Sequence, residues 1–509
     1  MTAPPRDRRD LTAPVLLLSA LLIAVCGLVY ELLAGALASY LVGDSVTMFS
    51  TVIGVYLSAM GLGSWLSGQL EGEVAGTFVQ VELAVALVGG CAAPALFLAF
   101  AHQGLFKVAL YGLVALIGTL VGLEVPLLLR VLKGRYAFKD LIARVLTVDY
   151  LGALVASLLF PLVLVPRLGM VRTGLAFGVL NALVGLSTTF VLAGQLRRVR
   201  ALRVAAGVVL ALLGGLLWQA DRLTSLAEDG LYADEVIFAR STPYQRIVLT
   251  QGRASFQLFL NGNLQFSSAD EHRYHEALVH PALALATSPR RALVLGGGDG
   301  LALRELLKDP RVEAVQLVDL DPAMTRLGAE LPLLRAQNHD AFHSPKVLVA
   351  NEDAARWLEQ DHGKFDLAIV DVPDPNNFAL GKLYTTRFYR LLQRALNPGA
   401  PVVVQSTSPM MARMSFWCVA TTLEAAGFHV RAYHVPVPSF GEWGFMLARE
   451  WPFEVPTALP RVELKYLTPE LLPTLFVFSA DMARVPTEVN RLDNQVLVQY
   501  YEAEWKRWN

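Results

Sequence analysis

The feature that most constrains this chain is a succession of long apolar stretches in its N-terminal part. A helix needs about 20 consecutive apolar residues to cross the hydrocarbon core of a bilayer. The stretches lie at residues 14–38, 46–68, 78–100, 107–129, 145–165, 171–194 and 202–219. Seven buried helices of a water-soluble protein would need a polar face, and these stretches have too few polar residues to make one. We therefore predict that residues 1–220 form an α-helical transmembrane bundle of about seven spans in the cell membrane.

The charges of the loops predict the orientation of this bundle. Arginines lie within residues 6–9, and further Lys and Arg clusters lie within residues 133–144 and 197–203. Cytoplasmic loops carry an excess of Lys and Arg, so this pattern places the N-terminus in the cytoplasm. An odd number of spans would then put the rest of the chain on the opposite side.

Acidic residues inside the apolar stretches are costly to insert into lipid. They are Glu31, Glu82, Glu124 and Asp149. Such acids either mark a functional site or have a structural explanation, in which they lie near span ends and snorkel, or pair with Arg130 and Arg144. The structural interpretation is favoured for Glu82, and both remain open for the other three acids.

Overall composition excludes several classes of protein. Hydrophobic residues make up 54% of the chain and charged residues 17%, with a formal net charge of -1. This balance is not that of a disordered chain or of a basic nucleic-acid-binding protein, so no nucleic-acid partner is expected. Cys26, Cys91 and Cys418 form no CxxC pair, which argues against a disulfide framework or a zinc knuckle.

From residue 221 the sequence becomes mixed and polar, and residues 221–288 predict a small β unit followed by a helix. Residues 246–250 and 255–260 alternate as strands do, and Asn261-Gly262 is a hairpin turn signal. A helix is predicted over residues 271–286, with Asp270 as its N-cap.

Residues 289–450 predict a Rossmann-like α/β domain. The apolar strand 291–295 runs into a glycine-rich loop at 296–300 and then into a helical pattern over 301–307. A second strand, 314–318, ends at Asp319, about 20 residues after the glycine loop, as in a nucleoside-binding site. Residues 451–509 form a C-terminal extension in which we identify no motif.

Acidic residues follow the predicted strands at their carboxyl ends. They are Asp299, Asp319, Asp353, Asp371 and Asp374. Open α/β sheets bind ligands at this edge, and no Lys or Arg is found among the residues assigned to it. Helix capping is an alternative role for Asp353. It fits Asp371 and Asp374 poorly, because Pro373 and Pro375 keep their loop extended. The edge therefore calls for a positively charged ligand.

Several motifs in this half resemble those of spermidine synthases, which are polyamine aminopropyltransferases, and the whole chain is similar to the multi-pass membrane branch of that family. The motifs are Tyr244-Gln245, Asn261-Gly262, Gln265, Asp270-Glu271, Tyr274-His275-Glu276, Gly296–Gly300 and Asp371-x-x-Asp374-Pro375. The resemblance implies aminopropyl transfer from decarboxylated S-adenosylmethionine, a co-substrate, to a diamine, usually putrescine. The products would be spermidine and methylthioadenosine, with no metal and no further cofactor.

The resemblance also implies roles for individual residues. Asp371 would be the general base. The substrate-binding residues would be Gln245, His275, Asp299, Asp319, Asp353, Ala354 and Asp374, and the nucleotide loop would be Gly296, Gly297, Gly298 and Gly300. Asp299 would hold the ammonium of the donor, Asp319 its ribose and Asp353 its adenine. Asp374 would bind the diamine, and Gln245 and His275 would contact the donor or the diamine.

Some assignments stay open. The soluble enzymes of the family tend to have Gly-Pro after the counterpart of Asp374-Pro375, where this chain has Asn376-Asn377-Phe378, so the acceptor diamine is undecided. The donor is made in the cytoplasm, which favours a cytoplasmic catalytic domain against the loop charges. Soluble relatives pair or form tetramers, so a homo-oligomer is possible.

Three other functions compete with aminopropyl transfer. A methyltransferase that uses S-adenosylmethionine would have the same fold, but the acids would repel the carboxylate of its donor. A membrane polyamine transporter or sensor with a non-catalytic binding domain is the second alternative. A metal enzyme is disfavoured because His275 and His280 are five positions apart, on different faces of one helix.

Overall fold

The computed structural model describes residues 12–42, 45–100, 106–133, 137–220, 222 and 232–507. The chain divides into two compact units, Met1–Asp234 and Glu235–Asn509. The arginines within residues 6–9 and the predicted domain start at residue 221 lie outside the described residues.

The N-terminal unit is helical. Its helices, within the described residues, are Thr12–Val42, Ser45–Ser67, Val74–Gly90, Ala92–Phe100, Phe106–Leu132, Phe138–Leu159, Val165–Val191 and Val199–Trp218. Six helical runs in the described part are long and apolar enough to cross a membrane, not the seven predicted. The counts differ because the predicted stretches 145–165 and 171–194 fall in one helical run, Phe138–Val191. A π-helical turn at Phe160–Leu164 makes this run continuous.

Glycines let two of these helices approach closely. A Cβ added to Gly63 would lie 2.0 Å from the carbonyl oxygen of Thr119, and one added to Gly122 would lie 2.2 Å from that of Met60. Helices Ser45–Ser67 and Phe106–Leu132 therefore touch backbone to backbone, a packing mode common between apolar helices.

The second unit begins with a four-stranded antiparallel sheet. Its strands in chain order are β1 (Glu235–Ser241), β2 (Arg246–Gln251), β3 (Phe256–Leu260) and β4 (Asn263–Ser267). The predicted hairpin turn is confirmed: Asn261 and Gly262 have φ angles of 51° and 80°, which join β3 to β4. Apolar side chains of β2 and β3 pack against Leu301, Met324 and Leu327.

The larger sheet carries the strand ends that matter for function. Its strands are β5 (Arg291–Gly296), β6 (Ala314–Asp319), β7 (Val347–Asn351), β8 (Leu367–Asp371), β9 (Val402–Gln405), β10 (His429–Val437) and β11 (Gly441–Arg449). The spatial order is β10-β11-β9-β8-β5-β6-β7. Strands β5 to β9 are mutually parallel, and β10 and β11 are antiparallel additions. The predicted Rossmann-like domain is thus confirmed, and its strand order reverses between β5 and β8.

Helices cover both faces of this sheet. They include Glu271–Leu285, Leu301–Leu307, Pro322–Glu330, Pro332–Gln337, Ala354–Trp357, Phe378–Gly381, Thr386–Ala395 and Arg413–Ala425. Asp270 is at the N-cap of the first, as predicted, but its carboxylate accepts hydrogen bonds from Ser439 instead of from the helix.

The C-terminal extension packs onto the α/β domain. Most of residues 451–495 is irregular, and the helix Val496–Trp505 follows. Glu504 accepts hydrogen bonds from the backbone nitrogens of Met414 and Ser415, at distances of 2.7 and 3.0 Å. This carboxylate therefore caps the helix Arg413–Ala425, because the first N–H groups of a helix have no partner within it.

Candidate active site

The loops after β5 and β8 meet where the strand order reverses, which is the place where open α/β sheets bind ligands. Gly296 pairs with Asp371 in the sheet. Gly296 has a φ of 84°, and a Cβ added to it would lie 1.9 Å from the carbonyl oxygen of Asp371. Only glycine fits there. At Gly298 a Cβ would lie 2.7 Å from Asp319 Oδ2.

Asp371, at the end of β8, is partly buried and accepts a hydrogen bond from the Tyr274 hydroxyl at 2.7 Å. Burial raises the pKa of Asp371 to about 6, the charge of Asp299 adds to the rise, and His275 and the Tyr274 hydrogen bond oppose it. Asp371 is therefore a stronger base than an ordinary carboxylate, yet it is still mostly ionised at neutral pH.

Asp299 and His275 face the same region. Burial raises the pKa of Asp299, with His275 opposing that rise. His275 is buried, and its Nδ1 lies 2.9 Å from both the carboxylate and the backbone oxygen of Glu271. Burial lowers the pKa of His275, but the charges of Glu271, Asp299 and Asp371 outweigh that effect and raise it. Because Nδ1 is engaged, Nε2 is the nitrogen that can meet a substrate.

Asp319, at the end of β6, is held by backbone groups. Its carboxylate accepts hydrogen bonds from the nitrogens of Gly298 at 3.1 Å and Asp321 at 2.8 Å. Burial raises the pKa of Asp319 to about 6. The side-chain amide of Gln245 donates a hydrogen bond to Asp321 at 3.0 Å. Gln245 therefore supports the loop after β6, and its nitrogen is already used in that contact.

Asp353 differs from the other acids predicted at this edge because it already has a cationic partner. One of its oxygens caps the helix Ala354–Trp357 by accepting from the nitrogens of Ala355 and Arg356, and the other contacts the Lys382 ammonium. Burial raises the pKa of Asp353, but Lys382 and the backbone donors lower it more. The helix-capping alternative predicted for Asp353 is therefore confirmed, and Lys382, which comes from a segment outside the predicted edge, adds a positive charge beside it. The neighbouring Ala354 is buried.

Asp374 is held by uncharged donors from distant parts of the chain. It accepts hydrogen bonds from Gln405 at 3.2 Å, Thr407 at 3.0 Å and the Tyr501 hydroxyl at 3.0 Å. Burial raises the pKa of Asp374, and these three donors oppose that rise. Thr407 has a φ of 58°, which a β-branched residue rarely adopts, and this strained backbone is typical of functional sites.

Buried ion pairs lie beside these acids. Arg304 donates to both carboxylate oxygens of Glu271 at 2.8 and 2.9 Å, and His280 bonds to Glu305 at 2.8 Å. Glu276 instead accepts from the backbone nitrogens of residues 465–467. These acids and histidines have structural partners, and in the described residues no group of three or more His, Cys, Asp or Glu is arranged to hold a metal ion.

Sequence reasoning missed four donors to these acids: Tyr274, Gln405, Thr407 and Tyr501. Tyr274 lies in a motif that we quoted, but we gave it no role. Gln405 ends β9, so its place at the ligand edge followed from the strand pattern. Tyr501 lies in the extension without a motif, and no local signal indicated it. Glu442, at the start of β11, is paired with His434 Nδ1 at 2.8 Å.

Within the part of the chain that the structure describes, four acids at the edge accept hydrogen bonds but form no salt bridge: Asp299, Asp319, Asp371 and Asp374. A glycine-rich loop that lets a nucleoside approach lies among them. Unneutralised carboxylates in a partly buried cleft stabilise positive charge. The fold and the site define a Rossmann-like α/β enzyme that acts on cationic substrates.

Comparison with known proteins identifies the family. A Spermine/spermidine synthase domain model matches residues 271–454. A polyamine aminopropyltransferase of Leptospira interrogans is 50% identical over 97% of this chain and 99% of its own. Polyamine aminopropyltransferase 1 of Ralstonia nicotianae is 51% identical over 99% of both chains. A solved spermidine synthase in complex with the transition-state analogue AdoDATO has a TM-score of 0.45 and 25% identity, covering 48% of this chain and 85% of that one.

The chain belongs to the polyamine aminopropyltransferase family. Its reaction is the transfer of an aminopropyl group, and the donor of the family is decarboxylated S-adenosylmethionine.

Proposed function

We propose that this chain transfers the aminopropyl group to putrescine, with Asp371 as the general base, and releases spermidine and methylthioadenosine. The observation that supports this most is the pair Asp371 and Asp374. Both carboxyls are bonded by uncharged donors, Tyr274 on one side and Gln405, Thr407 and Tyr501 on the other. Neither is neutralised, so a cation fits between them.

Asp371 has the proton affinity that the reaction needs. An alkylammonium has a pKa near 10, so the attacking nitrogen must lose a proton before it can act as a nucleophile. Its lone pair then forms a bond to the propyl carbon beside the sulfonium. The carbon–sulfur bond breaks, and its electron pair stays on sulfur as the thioether of methylthioadenosine. Asp371, with a pKa raised to about 6, takes the proton that the nitrogen releases.

The donor would lie along the loops after β5, β6 and β7. Gly296, Gly297, Gly298 and Gly300 leave room for its nucleoside. Asp319 binds the ribose hydroxyls, Asp299 binds the propylammonium, and Asp353 with Ala354 faces the adenine. Lys382 already contacts one carboxylate oxygen of Asp353, so the adenine would have to use a free lone pair of that carboxylate. A donor that kept its carboxylate would meet Asp299 and Asp371 with a like charge.

The acceptor would lie on the opposite side, at Asp374. Three hydrogen bonds fix this carboxylate, so it meets a diamine without reorganisation. Tyr501 acts through Asp374, and we assign it as a positioning residue of the acceptor pocket. His275 and Gln245 complete the predicted substrate-binding set, His275 through Nε2 and Gln245 through the Asp321 loop.

An assay of the purified full chain tests this assignment. Methylthioadenosine release is measured with decarboxylated or intact S-adenosylmethionine and with diamines of three to five carbons. We expect product only with the decarboxylated donor, with putrescine preferred, and a loss of about 10²–10⁴-fold in Asp371→Asn. Asp366→Asn, the same change at the other end of β8, is the matched control and should keep full activity. Turnover of intact S-adenosylmethionine would favour a methyltransferase and refute the proposal.

We further propose that the helical unit spans the membrane with seven crossings. Gly152 and Phe177 both contact the helix Thr12–Val42 within one turn: a Cβ on Gly152 would lie 2.7 Å from that of Ala24, and Cys26 Sγ lies 3.8 Å from the Phe177 oxygen. One straight helix would hold Gly152 and Phe177 about 37 Å apart. The chain therefore reverses between them, at Gly169 with its φ of 73°, and Phe138–Val191 makes two crossings.

The side of the membrane is a separate question. Loop charges with seven crossings place the catalytic unit outside, whereas the donor is made in the cytoplasm. We propose the cytoplasmic side because catalysis requires that donor. A reporter fused after Asn509 that is active only inside the cell would support this, and one active only outside would overturn it.

A further inference from the structure

The helical unit buries polar atoms that have no hydrogen-bond partner. They are both carboxylate oxygens of Glu82, Oε1 of Glu124, Oδ1 of Asn181 and the hydroxyl of Tyr30. None of these side chains is more than 2% exposed. Unpaired buried polar atoms are rare in folded proteins because each costs about 1–3 kcal/mol, and a charged group costs more.

These side chains come together from four helices. Glu82 and Glu124 interact electrostatically, and Tyr30 interacts with both. Asn181 donates its amide to the backbone oxygen of Glu82 at 3.1 Å, which places its side chain beside that residue. We name Glu82 and Glu124, with Tyr30 and Asn181, the buried acid pair.

Arg130, one of the two cations that the sequence offered as partners, is engaged elsewhere. Arg130 donates to the backbone oxygens of Ser67 at 2.8 Å and Leu70 at 3.0 Å, so it caps a helix end. The structural interpretation favoured for Glu82 is therefore wrong, because Glu82 is fully buried and its carboxylate has no bonded partner.

All the unpaired atoms can accept hydrogen bonds. Two carboxylates, an amide oxygen and a hydroxyl suit an ammonium group, which has three N–H donors and a positive charge. A metal ion is a poorer match, since within the described residues no group of three or more acidic, histidine or cysteine side chains is placed to bind one. We propose that the buried acid pair binds the primary ammonium group of a polyamine.

The choice of a polyamine rests on the proposed function, since amines of this class are substrate and product of the reaction. The site itself rests only on the unpaired acceptors of the helical unit. It would give one chain two separate places for the same class of molecule.

Equilibrium binding of radiolabelled spermidine to the full chain in lipid nanodiscs tests the proposal. The background variant Asp371→Asn, Asp374→Asn removes the acids of the catalytic acceptor pocket. We expect this variant to retain one spermidine per chain and to lose it, by at least 10-fold in affinity, when Glu82→Gln and Glu124→Gln are added. Glu71→Gln, the same change at an exposed position of the same unit, is the matched control and should retain the binding.

Tyr30→Phe provides a second variant in case the glutamine changes prevent folding, because it removes only one hydroxyl. We expect it to weaken spermidine binding about 3- to 10-fold in the same background. The proposal would be overturned if the background variant bound no spermidine, or if it bound spermidine equally well with and without Glu82 and Glu124. Either result is expected if both carboxyls are protonated and therefore uncharged. Methylthioadenosine release by Glu82→Gln, Glu124→Gln with an intact cleft reports the proposed function independently.

Discussion

The hydrogen bond from Tyr274 to Asp371 lowers the pKa of the proposed base, against the larger rise that burial causes. The hydroxyl lies 2.7 Å from Asp371 Oδ1, and both groups are largely shielded from water. A hydrogen bond to a charged group contributes about 1.5–3 kcal/mol, and each pKa unit corresponds to about 1.4 kcal/mol. Because this bond favours the ionised form, Tyr274→Phe should raise the pKa of Asp371 by about 1–2 units, from about 6 to roughly 7–8.

The assay is the pH dependence of kcat/KM between pH 5 and 9, which reports groups of the free enzyme. Activity depends on the ionised base, so it rises as pH increases through the pKa of Asp371. In Tyr274→Phe the acidic limb should move to higher pH. At pH 7 the ionised fraction should fall from about nine-tenths to between about one-half and one-tenth.

Tyr433→Phe provides the control for this experiment. Tyr433 is also buried, but its hydroxyl donates to the backbone oxygen of Ala277 at 2.6 Å. Its removal should lower stability by about 1 kcal/mol and leave the acidic limb in place. An unchanged limb in Tyr274→Phe, or an equal shift in Tyr433→Phe, would refute the assignment of Asp371.

Three further changes separate binding, geometry and stability. Asp371→Asn should raise the thermal midpoint of unfolding by a few degrees at pH 7.5 but not at pH 4. The raised pKa means that the ionised carboxylate destabilises the folded state, and this cost appears only as pH rises through about 4–6. An equal gain at both pH values would contradict this. Tyr501→Phe should raise the diamine KM about 10-fold and leave the donor KM unchanged, whereas Tyr500→Phe on the same helix should change neither. Gly298→Ala should raise the donor KM at least 10-fold, since its Cβ would press on the Asp319 carboxylate; unaltered donor kinetics would show that Asp319 has no such role.

The α/β core was predictable because its signals are local. The apolar strand at 291–295, the glycines after it and Asp319 follow one another within a short stretch, and parallel strands bring their carboxyl ends to one edge. Asp371 was found for the same reason. The Asn261-Gly262 turn also depends only on neighbouring residues.

The contacts that sequence reasoning missed join distant segments. Lys382 reaches Asp353 from a separate loop–helix segment, and Tyr501 reaches Asp374 across 127 positions. Such pairings depend on the tertiary fold, and no periodicity reports them.

The hydrogen bond from the helix Val496–Trp505 to Asp374 has a consequence for biogenesis. A ribosome that has already produced the whole nucleotide fold still holds a chain whose Asp374 lacks one of its three donors, and synthesis must pass Trp505 to supply it. Proteolytic loss of that helix would return the chain to the same state, with the Asp374 carboxylate held by Gln405 and Thr407 alone.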